Sequence, residues 1–211
     1  MQPIKTLSPE RLSGVRYILH DIAATITNGG KLLPESYTAL WKLSRAGFQV
    51  IPVTGRPAGW CDLILREWPA AAVVGENGAF VDYWEGEERK RFFHPSVPRE
   101  RLDEKLREIE AACLREVPGC RVSKDQPYRV CDLAIDFNED VHLGMEAALK
   151  IKAVCERFGA VAKVSSIHVN TWFGDYSKVE MAELFLREIL HEDHLEEKVV
   201  FFGDSPNDEP M

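Results

Sequence analysis

Along the first half of the chain, short apolar runs alternate with stretches in which apolar positions recur every three or four residues. The runs at 14–20 (GVRYILH), 49–53 and 71–74 predict strands, and the spaced stretches at 36–46 and 59–68 predict helices between them. That alternation implies a parallel, doubly wound α/β sheet. A hairpin-like segment follows at 79–83, and the polar run Glu85, Gly86, Glu87, Glu88 then interrupts the rhythm and sets a domain boundary. Beyond it the order becomes strand 90–94, amphipathic helix 99–116, strand 128–138, helix 143–158 and two close strands at 161–165 and 167–172, which predicts an α+β insert. The doubly wound rhythm resumes with a helix at 178–190 and a strand at 199–202. The expected division is a core of residues 1–84 and 173–211 with a cap inserted at 85–172.

With 211 residues and 45% hydrophobic content, the chain can bury one core, or a core plus a smaller insert. The longest apolar runs, such as 70–74 and 199–202, are too short to cross a bilayer, and the N-terminus lacks the apolar stretch of a secretory signal, so the expectation is a cytoplasmic protein with no membrane partner. A net charge of −8 without a basic stripe argues against nucleic acid as a partner. It leaves room for a small phosphorylated ligand, because metal ions and a few placed donors cancel charge locally. The five cysteines are scattered without metal or redox spacing, which favours reduced structural thiols.

In open α/β sheets ligands bind beyond the carboxyl ends of the strands, so the residues just after each strand carry the chemistry. Strand one is followed by Asp21-Ile22-Ala23-Ala24-Thr25, strand two by Thr54-Gly55-Arg56-Pro57, strand three by Gly75-Glu76-Asn77-Gly78, and the last by Gly203-Asp204-Ser205-Pro206-Asn207-Asp208. Asp21, Asp204 and Asp208 form an oxygen-rich set of the kind Mg²⁺ prefers. Thr54 offers a hydroxyl and nearby N–H groups to a phosphate, and Lys178 adds a cation. A carboxylate so neutralised can attack phosphorus and form an aspartyl-phosphate that water later cleaves.

The ordered set Asp21, Thr54, Lys178 and GDSPND resembles the four motifs of the haloacid dehalogenase superfamily. The VTGRP run, the ENGA run and an insert between the second and third motifs resemble its subfamily IIB, the Cof-like and sucrose-phosphatase-like sugar phosphatases. The resemblance implies a Rossmann-like core with an α+β cap, and a Mg²⁺-dependent phosphatase acting on a small, sugar-type phosphate monoester. It implies Asp21 as nucleophile and metal ligand, with Thr54 and Lys178 as the other catalytic residues. Thr54, Gly55, Arg56, Asn77, Lys178 and Asn207 would bind substrate, while Asp21, Ala23 through its carbonyl, Asp204 and Asp208 would bind metal.

The first motif departs from the family pattern Asp-x-Asp-Gly-Thr, since Ala23 and Ala24 replace the acid/base aspartate and the glycine. Loss of the proton donor predicts slow leaving-group departure and slow phosphoenzyme hydrolysis. A catalytically inactive phosphate-ligand binding or regulatory protein is the alternative, and a phosphomutase a third. The family fold continues past its fourth motif, so an ending at Met211 reads as a truncated or short form with an exposed edge at strand 199–202. His168, Asn170 and Trp172 alternate on one strand and share a face, which either lines the cap side of a pocket or satisfies its polar groups internally.

Overall fold

The structure is a computed structural model that describes residues 8–98 and 100–204. The chain starts with α1 (Pro9–Leu12), β1 (Tyr17–His20), a ribbon of β2 (Thr27–Asn28) and β3 (Lys31–Leu32), α2 (Pro34–Arg45), β4 (Gln49–Pro52), α3 (Ala58–Glu67), β5 (Ala72–Gly75), β6 (Phe80–Glu85) and β7 (Glu88–Phe93). Next come α4 (Leu102–Glu116), β8 (Arg121–Val122), β9 (Asp132–Asp136), α5 (Gly144–Arg157), β10 (Val161–Val164) and β11 (His168–Trp172). The chain returns through α6 (Lys178–Leu184), α7 (Leu195–Lys198) and β12 (Val199–Phe202).

Contacts divide these elements into two units. Unit 1 runs to Arg56, resumes over Trp60–His94 and returns from Tyr176, while unit 2 holds Pro57–Gly59 and Pro95–Asp175. The charged turn after Glu85 is the tip of the β6–β7 hairpin, in which Phe80 pairs with Phe93. Residue 85, where the sequence pattern placed a boundary, therefore lies inside an antiparallel pair of unit 1.

In unit 1, β1 lies between β12 and β4, both parallel to it. A single parallel bridge, Val53 to Val74, leads from β4 to β5, from which β6 and β7 continue antiparallel. The doubly wound pattern thus holds for β12, β1 and β4 and gives way to a hairpin sheet beyond. Tyr17 and Leu19 of β1, Ile51 of β4, Val53, Val74 of β5 and Val81 of β6 form one core with Met181, Phe185 and Leu186. Period-2 alternation sends Ile18 and His20 to the opposite face, where burial is as complete. The predicted helix at 178–190 changes character midway: α6 ends at Leu184 and a wider π turn spans Phe185–Ile189, closed by the Leu190 N–H donating to the Phe185 carbonyl. Phe185 and Leu186, though adjacent, are both buried there.

Unit 2 is a four-stranded antiparallel sheet in the order β10-β11-β9-β8. Leu133 and Ile135 of β9 and Val169 of β11 join the α4 and α5 residues Ile109, Cys113, Ile151 and Val154 in a second core. The other face is polar yet buried, with Asp132, Asp136, His168 and Asn170 all below 10% exposure. Strand β9 starts at Asp132 rather than at 128, because the Arg129 guanidinium is buried between two carboxylates and bends the chain before it. It donates two bonds to Asp132, at 2.9 and 3.0 Å, and others to Asp125. Asn170 also donates to Asp132, at 3.2 Å, and His168 Nε2 lies 2.8 Å from Glu139. On the alternating face of β11, His168 and Asn170 therefore have partners within unit 2. Burial pushes the Asp132 carboxyl up, and the charge of Arg129 opposes that push.

Candidate active site

In-register parallel pairing brings three strand ends level, since His20 pairs with Phe202 on one side and Pro52 on the other. Asp21 is the next residue of the central strand and is only 7% exposed. Its N–H donates to the Phe202 carbonyl at 2.9 Å, and its Oδ1 accepts from Lys178 Nζ at 2.9 Å. Lys178 opens α6, whose N-cap Ser177 accepts through its hydroxyl from the Glu180 N–H. The lysine is placed by a close approach at Gly78, where φ is +105° and a Cβ would lie 2.1 Å from the Ser177 carbonyl oxygen. Only glycine lets the turn after β5 lie against the start of α6.

Thr54 is buried, donates its N–H to the Val74 carbonyl and accepts the Arg56 N–H on Oγ1 at 3.2 Å. The two turns are tied together by the Asn77 N–H donating to the Thr54 carbonyl and the Glu76 N–H donating to the Arg56 carbonyl. Gly55 lies under Asn77, since a Cβ there would be 2.8 Å from Asn77 Oδ1. Asn77 has left-handed backbone at φ 59°, and its Nδ2 is buried without a hydrogen-bond partner among the described residues. The Arg56 guanidinium stacks over the Trp60 ring at 4.4 Å.

The loop after Asp21 closes on itself: Ile26 and Thr27 donate their N–H groups to the Ile22 carbonyl, and the Ala24 N–H donates to Thr27 Oγ1 at 3.1 Å. Ala23 and Ala24 are exposed on it. Ala24 has φ 59°, a left-handed conformation that strains any residue with a Cβ. The backbone thus keeps the shape suited to the glycine of the resembled motif while the side chain does not. Ala24→Gly is expected to stabilise unit 1 by about 1 kcal/mol, read as a higher urea midpoint. An unchanged or lower midpoint would contradict the left-handed turn.

Two residues with contacts here were not singled out from the sequence. Thr25 donates its hydroxyl to Asp204 Oδ1 at 2.6 Å, linking the first and last strand ends. His20 is 1% exposed, and its Nδ1 lies 2.8 Å from the Asp21 carbonyl oxygen. Burial pushes the His20 imidazole down to about 4, against the opposing pull of that bond, so the ring is neutral at neutral pH. The threonine of the Asp-x-Asp-Gly-Thr pattern was a usable signal for Thr25. A histidine among Tyr17, Ile18 and Leu19 gave none, because burial alone accounts for such a run.

For a metal, the described residues offer the carboxylates of Asp21 and Asp204 and the backbone carbonyl of Ala23. No group of three or more His, Cys, Asp or Glu side chains suited to a metal occurs among them. Oxygen-only donors with one or two carboxylates fit Mg²⁺, which keeps several waters and takes the rest of its shell from a phosphate. Asp208 and Asn207 lie outside the described residues.

No family model and no curated protein matches the chain. Solved structures do match. A Thermoplasma acidophilum protein superposes with a TM-score of 0.72 at 18% identity, covering 93% of this chain and 80% of that one. A haloacid dehalogenase-like hydrolase from Bacteroides thetaiotaomicron gives a TM-score of 0.68 at 16% identity, over 93% and 84% of the two chains. A subclass IIB sugar phosphatase of the same superfamily gives 0.63 at 14% identity, over 93% and 84%. The fold is that of the haloacid dehalogenase superfamily. In this haloacid dehalogenase fold, Asp21 follows the middle strand of the parallel sheet and Lys178 reaches it from the first residue of α6. No helix among the described residues is long and apolar enough to cross a membrane.

Proposed function

We propose that the chain carries a haloacid dehalogenase-type phosphoric monoester hydrolase site for a small phosphorylated metabolite, with Mg²⁺ as cofactor and turnover weakened at Ala23. The observation that carries this reading is the 2.9 Å contact of Lys178 Nζ with Asp21 Oδ1 at the end of the central strand. Lys178 lowers the repulsion between the Asp21 carboxylate and an incoming phosphate. Thr54 and the N–H groups beside it orient the phosphate, and Arg56 and Asn77 stand on the same group of turns. Asp21 attacks phosphorus in line, the bond to the leaving oxygen breaks, and an aspartyl-phosphate forms on Asp21. Asp21, Asp204 and the Ala23 carbonyl, with Asp208 in support, would hold Mg²⁺, which would neutralise charge at the phosphate. With a methyl group at Ala23, the leaving oxygen takes its proton from water, and water attacks the phosphoenzyme without a side-chain base. Unit 2, as the insert, is assigned the choice of substrate, and sugar phosphates are the class to try first because a structural neighbour is a sugar phosphatase. We place the protein in the cytoplasm.

The second reading, a phosphate-ligand binding protein without turnover, is favoured by Ala23 itself. A panel of phosphate esters with Mg²⁺ separates the two: stoichiometric release of free phosphate supports hydrolysis, and binding without release supports the second reading. Transfer to a second substrate without release would mark a mutase. Asp21→Asn and Asp204→Asn are each expected to abolish metal-dependent binding, measured by calorimetry. Unchanged binding in both would sink both phosphate-site readings.

A further inference from the structure

We propose that His20 is a positioning residue for Asp21, holding the nucleophile's backbone so that its carboxylate meets a phosphate at the right angle; this rests on the phosphatase reading above. Among the described residues, contacts meet Asp21 on its N–H, its side chain and its carbonyl. Its N–H is fixed by the Phe202 carbonyl, its Oδ1 by Lys178, and its own carbonyl by the His20 imidazole at 2.8 Å. A carbonyl oxygen only accepts, so His20 Nδ1 carries a proton.

That arrangement is costly. Nε2 is buried with no hydrogen-bond partner among the described residues, and an unsatisfied buried nitrogen destabilises. An apolar residue at this position would pack the same sheet face as Ile18 without an orphaned nitrogen. What the imidazole adds is its bond to Asp21. Fixing the carbonyl fixes the peptide plane between Asp21 and Ile22, at the point where the straight strand gives way to the closed loop of residues 22–27. Without that bond Asp21 gains rotational freedom about ψ, and a nucleophile displaced by a fraction of an ångström loses alignment.

The test uses His20→Asn, whose amide N–H occupies the place of Nδ1–H, His20→Gln, whose amide reaches the place of Nε2, and His20→Leu. The probe is beryllofluoride with Mg²⁺, a phosphate mimic that attaches to aspartate, with affinity measured by calorimetry and folding checked by thermal unfolding. His20→Leu and His20→Gln are expected to bind about tenfold more weakly than the wild type and His20→Asn within about threefold. Nitrogen-15 NMR of the wild-type imidazole is expected to show the Nδ1–H tautomer. Wild-type affinity in a folded His20→Leu, equal rescue by Asn and Gln, or an Nε2–H tautomer overturns the proposal. If His20→Leu does not fold, the Asn and Gln pair decides. A wild type that does not bind the probe overturns the phosphatase reading itself, and with it the proposal.

Discussion

Ala23→Asp is expected to raise Mg²⁺-dependent release of phosphate from small esters by about 10² to 10⁴-fold, the usual contribution of a positioned acid/base group. The position lies two residues beyond Asp21, on a loop closed by Thr27, so a carboxyl placed there starts from an ordered backbone. It would give a proton to the leaving oxygen and then take one from the attacking water. Ala23→Asn has the same size without the titrating proton and is expected to leave the rate near the parent value. Initial rates on a panel of sugar phosphates, with and without added Ala24→Gly, measure the effect. If Ala23→Asp releases no more phosphate than the parent on any ester that binds, the missing acid does not limit this site.

The largest stability effect is expected at Arg129→Met. The guanidinium is 2% exposed and faces Asp132, whose side chain is fully buried, and Asp125, which is 17% exposed. Removing the cation strands the Asp132 charge with Asn170 as its remaining side-chain donor among the described residues, and breaking a buried pair from one side costs about 3–5 kcal/mol. Burial already raises the Asp132 carboxyl and Arg129 opposes that, so the variant's carboxyl rises further. A carboxyl raised above its unfolded value loses stability as pH increases. The deficit is therefore expected to be full at neutral pH and to shrink as pH falls toward the ordinary carboxylate range. Urea unfolding of unit 2 at several pH values reads it; a deficit that does not change with pH would mean that Asp132 is not the group left uncompensated.

Much of this molecule is legible in its hydrophobic pattern. The strand at 199–202 occurs as β12 with those bounds, and the strands and helices that alternate along the first half occur within a few residues of their expected limits. The pattern is readable there because each strand is buried and each helix has one apolar face. Where it misleads, a polar or conformational event decides. Apolar spacing continues through 178–190, but a π turn lets Phe185 and Leu186 both face inward, which periodicity alone cannot register. Apolar residues near Tyr128 extend the look of a strand, but the buried Arg129 ion pairs bend the chain first. The short β2, β3 and β8 carry too few residues for an alternation to show. At the site, the resemblance to the haloacid dehalogenase motifs implied that Lys178 lies against Asp21, and the two side chains are in contact. The role of the Asp21 carbonyl was not legible, since a bond from His20 to its sequence neighbour leaves no trace in spacing.

The placement of β1 between β4 and β12 also sets the order of events during synthesis. Thr25 and Asp204 stand 179 positions apart, and Asp21 and Lys178 stand 157 apart. Such separations slow folding, because a long loop must close before the contact can reward it. A nascent chain exposes the Asp21 end of β1 early and holds one side of it unpaired until β12 emerges, whereas every residue of unit 2, Pro57–Gly59 and Pro95–Asp175, has by then been made. The bare edge of β1 during that interval is where the growing chain is most open to mispairing.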